Sequence, residues 1–386
     1  MIIPSCQQIL DQNFNVLAVF RLNRYMLNMP ALHKELLAIR KDRFAPNDRI
    51  IFIMFDHDYH LDYQGLGWTF RNLQSILVHL DISNFFCILV THHHDWEEDA
   101  IELQKKITHD NYPIGICTTW LSEEWFPNDQ PMIYEEITIN FQSKFCALSR
   151  VSRPHRTYFI AKLFYENLTN YGMVGLNNLH MSKDLFSSDN NKKNIASDLM
   201  LLDIPRSYQK LMLQKQHNRE LLEKFCQRFS TFKNFQETVE LENKSSSHNQ
   251  FSIDPISKSF LYIGLETDMQ LPKAHTSRIS ARGIIQRRPF VILSSPGALA
   301  ALQQHGFKTF DLYWDESYDQ TVDLEDRVDK IIDIVKFITS LSMIELTDLY
   351  KKMENIIEHN YNHYHNHFKE IEQKKLTQWC INNANR

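Results

Sequence analysis

The sequence predicts an α/β protein of two Rossmann-like domains facing a cleft, followed by C-terminal helices. Three observations lead there. Short apolar runs alternate with helical patterns in both halves of the chain, the order expected of parallel sheets fed by helices. Runs such as Arg49–Phe55 are apolar almost without interruption, as strands covered on both faces are. The runs also end on polar residues, and in an open parallel sheet the ligand crevice lies outside the carboxyl ends of the strands.

In chain order, Phe14–Phe20 predicts the first buried strand and Ala31–Lys41 a helix. Arg49–Phe55 is the second strand and ends on Asp56-His57-Asp58-Tyr59-His60. Gly65 and Gly67 interrupt the chain before an amphipathic helix over Phe70–Leu80. Phe85–Val90 is a third strand, ending in Thr91-His92-His93-His94-Asp95. A helix over 96–108 and a fourth strand over Ile114–Thr118 complete a doubly wound first sheet. Pro127–Pro131 and Tyr134–Ser149 are expected to form a crossing segment.

The second half begins at the basic cluster Arg150, Arg153, His155 and Arg156, which opens an amphipathic helix over about 157–170. Tyr171–Leu176 is expected to open the second alternating domain. Residues 189–194 and 236–250 are polar loops, and 205–229 has a helical pattern. The stretch from Ser259 to Asp319 is the most informative. Its strand Phe260–Leu265 ends on Glu266-Thr267, a basic helix covers Thr276–Gln286, and a strand Pro289–Leu293 ends on Ser294-Ser295. Another helix, Ala298–His305, stops at Gly306. Helical periodicity then runs from Leu324 to about Lys375. The expected domains are 1–145, 146–325 and the helices 326–386.

Composition narrows the function classes. The chain has 386 residues, 43% hydrophobic and 23% charged, enough for two cores. A net charge of −5 argues against nucleic acid as the main partner. With 9 glycines and neither G-x-G-x-x-G nor G-x-x-x-x-G-K-[ST], a glycine-rich phosphate loop is not expected. Six scattered cysteines without a C-x-x-C pair fit a reducing compartment. No run reaches the roughly 18 apolar residues of a membrane span. A soluble, cytoplasmic protein without a membrane span is expected.

Four groups of residues carry candidate chemistry. Asp56 and Asp58, one residue apart at a strand end, suit a general base or acceptor contact; they also suit a divalent metal bridging phosphates, or a strand end facing water. Arg153 and Arg156, with Arg150 and His155, suit bidentate phosphate contacts at a helix start, or an inter-domain hinge. Glu266 and Thr267 with Arg278, Arg282, Arg287 and Arg288 suit hydroxyl recognition beside a diphosphate, or an ion-pair network along a helix. His359, His363, His365 and His367 include an i, i+4 pair without the acid of H-E-x-x-H between them, and are expected to form a solvated helix face rather than a metal site.

The segment 260–319 resembles the donor-binding half of glycosyltransferases with two Rossmann-like domains (GT-B-like), most closely the C-terminal part of α-1,3-fucosyltransferase-like enzymes. Glu266, Ser277 to Arg282, and Pro289–Leu293 stand where that family has a strand ending in an acid, a T/S-E-K segment opening a helix, and a following strand. The Arg150–Arg156 cluster is similar to the basic segment that starts the donor domain. The block Gly306–Asp319 is similar to one shared by uncharacterised bacterial and phage proteins. Where the family has Glu-Lys, this chain has Arg278-Ile279.

The resemblance implies a nucleotide-sugar as co-substrate rather than a bound cofactor, with a divalent metal possible but dispensable. It implies donor contacts from Arg153, Arg156, Glu266, Thr267, Ser277, Arg278 and Arg282, with Asp56 or Asp58 as base on an unidentified acceptor. The altered Arg278-Ile279 pair also motivates a non-catalytic glycan- or protein-binding module. A third expectation is a metal-dependent nucleotide-processing enzyme centred on Asp56-His57-Asp58.

Overall fold

The computed structural model describes residues 4–23, 29–41, 48–56, 72–73, 75–82, 85–91, 115–121, 139–149, 154–176, 253–266, 269 and 274–383. The expected helices over 96–108 and 205–229, the loops 189–194 and 236–250, and Pro127–Pro131 lie outside them. The chain is mixed α/β with two four-stranded parallel sheets. It divides into one unit of 1–133, 270–278 and 362–386, and another of 134–269 and 279–361.

In the first unit, β1 (Asn15–Asn23), β2 (Asp48–Asp56), β3 (Phe85–Thr91) and β4 (Gly115–Thr119) lie in the order β1-β2-β3-β4. All neighbours run parallel. The described strands therefore follow chain order without the reversal of a doubly wound sheet. Helix α1 (Pro4–Asn13) precedes β1, and α2 (Met29–Lys41) joins β1 to β2. Ile50–Ile53 and Phe85–Ile88 are buried on both faces, which explains their unbroken apolar pattern. The last helix of the chain returns to this sheet. Trp379 meets Phe86 edge-on at 5.5 Å, and Phe14 lies 5.0 Å from Phe86. The buried carboxylate of Glu372 accepts from the Trp120 N–H at 2.9 Å and the Thr119 hydroxyl at 3.1 Å, which ties that helix to the end of β4.

In the second unit, β5 (Ser143–Ser149), β6 (Gly172–Leu176), β7 (Ser259–Leu265) and β8 (Phe290–Leu293) lie in the order β6-β5-β7-β8, again all parallel. This corrects two expectations. Ser143–Ser149 is a central strand, not part of a crossing segment, and β6 is the second strand of its sheet, not the first. Only Phe145–Leu148 is apolar in β5, too short a run between polar neighbours to stand out. Helix α3 (Pro154–Tyr165) follows β5, starting on a proline whose missing N–H would find no helical partner anyway. It ends before Asn167, which takes the left-handed conformation at φ 58°.

The helix α4 (Ile253–Ser257) leads into β7, α5 (Arg278–Ile285) lies between β7 and β8, and α6 (Ala298–Gln304) follows β8. Gly306, at φ 90°, stops α6 where any side chain would strain the backbone. Helix α7 (Leu324–Ser340) buries Val328, Ile331, Ile332, Val335 and Ile338, one face at helical spacing. Lys144 of β5 donates to the carbonyls of Thr339 and Leu341, both at 2.6 Å, and so satisfies the end of α7. The final run is α8 (Met343–Asn362), a π-helical turn (His363–Phe368) and α9 (Lys369–Asn383). No described helix is long and apolar enough to cross a membrane.

Candidate functional site

Strand order reverses between β5 and β7. The chain places β6 on one side of β5, then β7 and β8 on the other. Such a reversal opens a crevice outside the carboxyl ends of the two central strands. Ser149 ends β5, Glu266 follows β7 and Ser294 follows β8, and all three are buried.

Glu266 is the centre of this edge. It is 0% exposed, and Oε1 accepts from the Ser280 N–H at 3.0 Å and from the Ser280 hydroxyl. Ser280 lies in the first turn of α5, where backbone N–H groups have no partner within the helix and the dipole favours an anion. The Glu266 N–H donates to the Leu293 carbonyl at 2.9 Å, extending the β7–β8 ladder by one residue. Its own carbonyl accepts from His155 Nε2 at 2.8 Å and Arg156 Nε at 3.0 Å. A carbonyl only accepts, so His155 carries its proton on Nε2. Glu266 thus ties β7 to β8, α3 and α5.

The end of β8 is braced in a similar way. Buried Arg327 donates through Nη1 to the Ser294 carbonyl and through Nε to the Thr321 carbonyl at 2.8 Å. Nη2 serves the Thr321 carbonyl too, and the Val322 carbonyl at 3.2 Å. Asp319 fills the start of α6, accepting from the Leu299 N–H at 2.9 Å and the Ala300 N–H at 3.2 Å. Burial pushes its carboxyl pKa up, against those hydrogen bonds and the nearby Arg327, which pull it down. At β7 and β8 alike, an arginine holds the carbonyl after the strand. The helix following each strand starts on a carboxylate from elsewhere in the chain.

The block Gly306–Asp319 is built into the same frame. Asn360 Oδ1 accepts from the Lys308 N–H at 2.7 Å while its Nδ2 donates to the Lys308 carbonyl at 2.8 Å. Phe310 packs edge-on against Phe290 at 5.2 Å. Its N–H donates to Glu316 Oε1 at 2.7 Å. Burial raises the Glu316 pKa to about 7, partly offset by hydrogen bonds from Thr309 and Phe310. The fully buried Tyr318 hydroxyl accepts from the Ile292 N–H of β8 at 3.4 Å.

Among the residues expected to contact ligand, Arg156 and Glu266 are brought together directly. Arg282 is half-buried in α5 beside Tyr262. Burial raises the pKa of the enclosed Tyr262 hydroxyl and the Arg282 guanidinium draws it back. Ser277 is buried immediately before α5, and Arg278 is that helix's first residue. Asp56 is the last residue of β2, opposite Thr91 of β3. Asp58, Arg153 and Thr267 lie outside the described residues, as do His92–His94. Ser280, Arg327 and Tyr262 were not singled out from sequence. Ser280 meets Glu266 across fourteen residues and Arg327 meets Ser294 across thirty-three, so no local pattern marks those contacts. Among the described residues, no group of three His, Cys, Asp or Glu converges as metal ligands would.

No family model matches the chain, and no curated protein matches it. Among solved structures, the chain is similar to a UDP-forming α,α-trehalose-phosphate synthase from Burkholderia xenovorans, with 9% identity and a TM-score of 0.38. The match covers 93% of this chain and 79% of that one.

Proposed function

We propose that the protein is a glycosyltransferase of the GT-B-like kind, moving a sugar from a nucleotide-sugar donor to an acceptor hydroxyl. The observation that carries this is the reversal at β5 and β7, with His155 and Arg156 in the first turn of the helix leaving β5. That is where an open parallel sheet takes its ligand. The sequence resemblance of 260–319 to donor-binding halves points to the same edge.

In this reading a cationic side chain offsets the charge that develops on the diphosphate as the bond from the anomeric carbon to its leaving oxygen breaks. Arg282 is assigned that role as the half-buried cation of α5, the helix whose start Glu266 caps. Ser277 and Arg278, at the start of α5, complete the donor set with Arg153 and Thr267. The acceptor is assigned to residues 1–145, with Asp56 or Asp58 as the base that takes the hydroxyl proton as its oxygen attacks the anomeric carbon. The test is thermal protection by nucleoside diphosphates and common nucleotide-sugars. Protection that Arg282→Ala removes supports the reading; no stabilisation by any of them sinks it.

A second reading has its own observation. The Glu266 carboxylate, expected to receive a sugar or ribose hydroxyl, is enclosed and holds Ser280. A shell that keeps the fold and binds glycan or protein without turnover fits that arrangement. Glycan binding with no hydrolysis of any donor separates this reading from the first.

A further inference from the structure

The turn between α8 and α9 is π-helical over His363–Phe368, with three histidines in six residues. π-Helical turns are rare and concentrate at functional sites. Here the turn is held by its apolar residues. Tyr364 and Phe368 are buried, and Phe368 meets Trp120 edge-on at 5.7 Å. His365, two residues from each of the other two, packs on Tyr364 with ring centroids 4.9 Å apart, on a different side of the helix.

His363 and His367 share the remaining face. Their ring centroids are 6.2 Å apart with planes 37° from one another, and both reach water. A metal about 2.1 Å from one nitrogen of each ring, lying in line with both, holds two imidazole centroids roughly 5 Å apart at ordinary ligand angles. The two rings therefore stand about 1 Å wider apart than a shared ion would hold them, on residues four apart along one helix face. We propose that His363 and His367 form a binding site for a divalent transition metal of the zinc, nickel or copper class, with water completing its coordination. Imidazole pairs favour these borderline ions over the oxygen-preferring magnesium and calcium. Bound metal would clamp one π-helical turn and stiffen the junction of α8 and α9. This site is independent of the proposed donor edge.

The test is a calorimetric titration of the full chain with Ni2+ and Zn2+, beside thermal melts with each ion. The expected result is saturable binding with a Tm rise of a few degrees, no response to Mg2+, and loss of one site in both His363→Gln and His367→Gln. His365→Gln and His359→Gln keep that site; the His359 Nε2 already donates to the Gly306 carbonyl at 2.9 Å. Unliganded melts of each variant at the parent Tm show that the loss is not unfolding. Undiminished stoichiometry in His363→Gln and His367→Gln overturns the proposal, as does a site that disappears only with His359 or His365. A failed nucleotide-protection experiment leaves this result untouched, because the two tests read different ligands and residues.

Discussion

The carboxylate of Glu266 caps the helix that starts at Arg278, taking the Ser280 N–H at 3.0 Å and the Ser280 hydroxyl across fourteen residues of sequence. The bond is enclosed, so removing either partner leaves the other without water. Glu266→Ala is expected to lose about 2–3 kcal/mol of unfolding free energy, the penalty for stranding buried donors. Glu266→Gln keeps an acceptor but gives up the charge at the helix start and is expected to lose about 1 kcal/mol. Urea unfolding measures both. Equal stability of Glu266→Ala and the parent contradicts the capping role. Since Glu266→Ala weakens the fold, lost turnover in that variant alone is poor evidence of catalysis, and Arg282→Ala is the cleaner probe.

Asp319 performs the corresponding task for α6. Removing its side chain in Asp319→Ala is expected to cost about 1–2 kcal/mol, in line with other lost helix caps. Asp319→Asn retains an oxygen for one of the two N–H groups and is expected to lose less. Denaturation midpoints at neutral pH decide it, and the prediction fails where Asn and Ala are equally harmful.

Glu316 gives the fold a pH dependence of known sign. Its folded pKa is raised from 4.5 to about 7, so the folded state holds a proton that the unfolded state has released between those values. The associated stability is present below about pH 4.5 and is lost as pH rises through about 7. Glu316→Gln keeps an acceptor for the Phe310 N–H and cannot ionise. Between pH 5 and 8 the parent is expected to lose more stability than the variant, by a margin on the order of 1–3 kcal/mol. Parallel pH slopes in the two proteins would show that burial does not perturb Glu316.

Gly172 begins β6 in extended backbone, so its requirement is space rather than an unusual φ. A β-carbon there runs into the Phe145 ring on neighbouring β5. Gly172→Ala is expected to destabilise by about 1–3 kcal/mol, the range for overpacking. Shortening the neighbour in Gly172→Ala/Phe145→Leu should recover part of the loss, a coupling that a double-mutant cycle measures.

Seven of the eight described strands are legible as apolar runs, most plainly β2, β3, β7 and β8, whose burial on both faces leaves little choice but to be apolar; β1 is apolar without that cover, with Leu17 39% exposed. The exception, β5, has only Phe145–Leu148 to announce it, and its lysine points to the end of α7. The polar strand ends at Glu266 and Ser294 are equally plain in sequence. What they do is not, because the partners come from distant segments. Asp319 shows the difference. The acidic turn Asp315–Asp319, just before the final helices, suggests a cap for the helix that follows or a brace for the cleft, yet Asp319 caps α6, twenty residues earlier, while Asp323 caps α7. The histidines of 359–367 read as a helix face, and nothing in their spacing announces a π-helical turn.

The pairing of β5 with β7 has a kinetic side. The Ser143 and Ser259 hydroxyls meet at 2.7 Å across 116 residues of chain, whereas β6 reaches β5 through a single helix. Closing a loop of that length costs on the order of 4 kcal/mol of chain entropy before any strand contact rewards it. The β5–α3–β6 unit can therefore form early, and the β5–β7 seam should assemble late and set the refolding rate. The crevice edge, which lies on that seam, would be among the last parts of the second unit to exist.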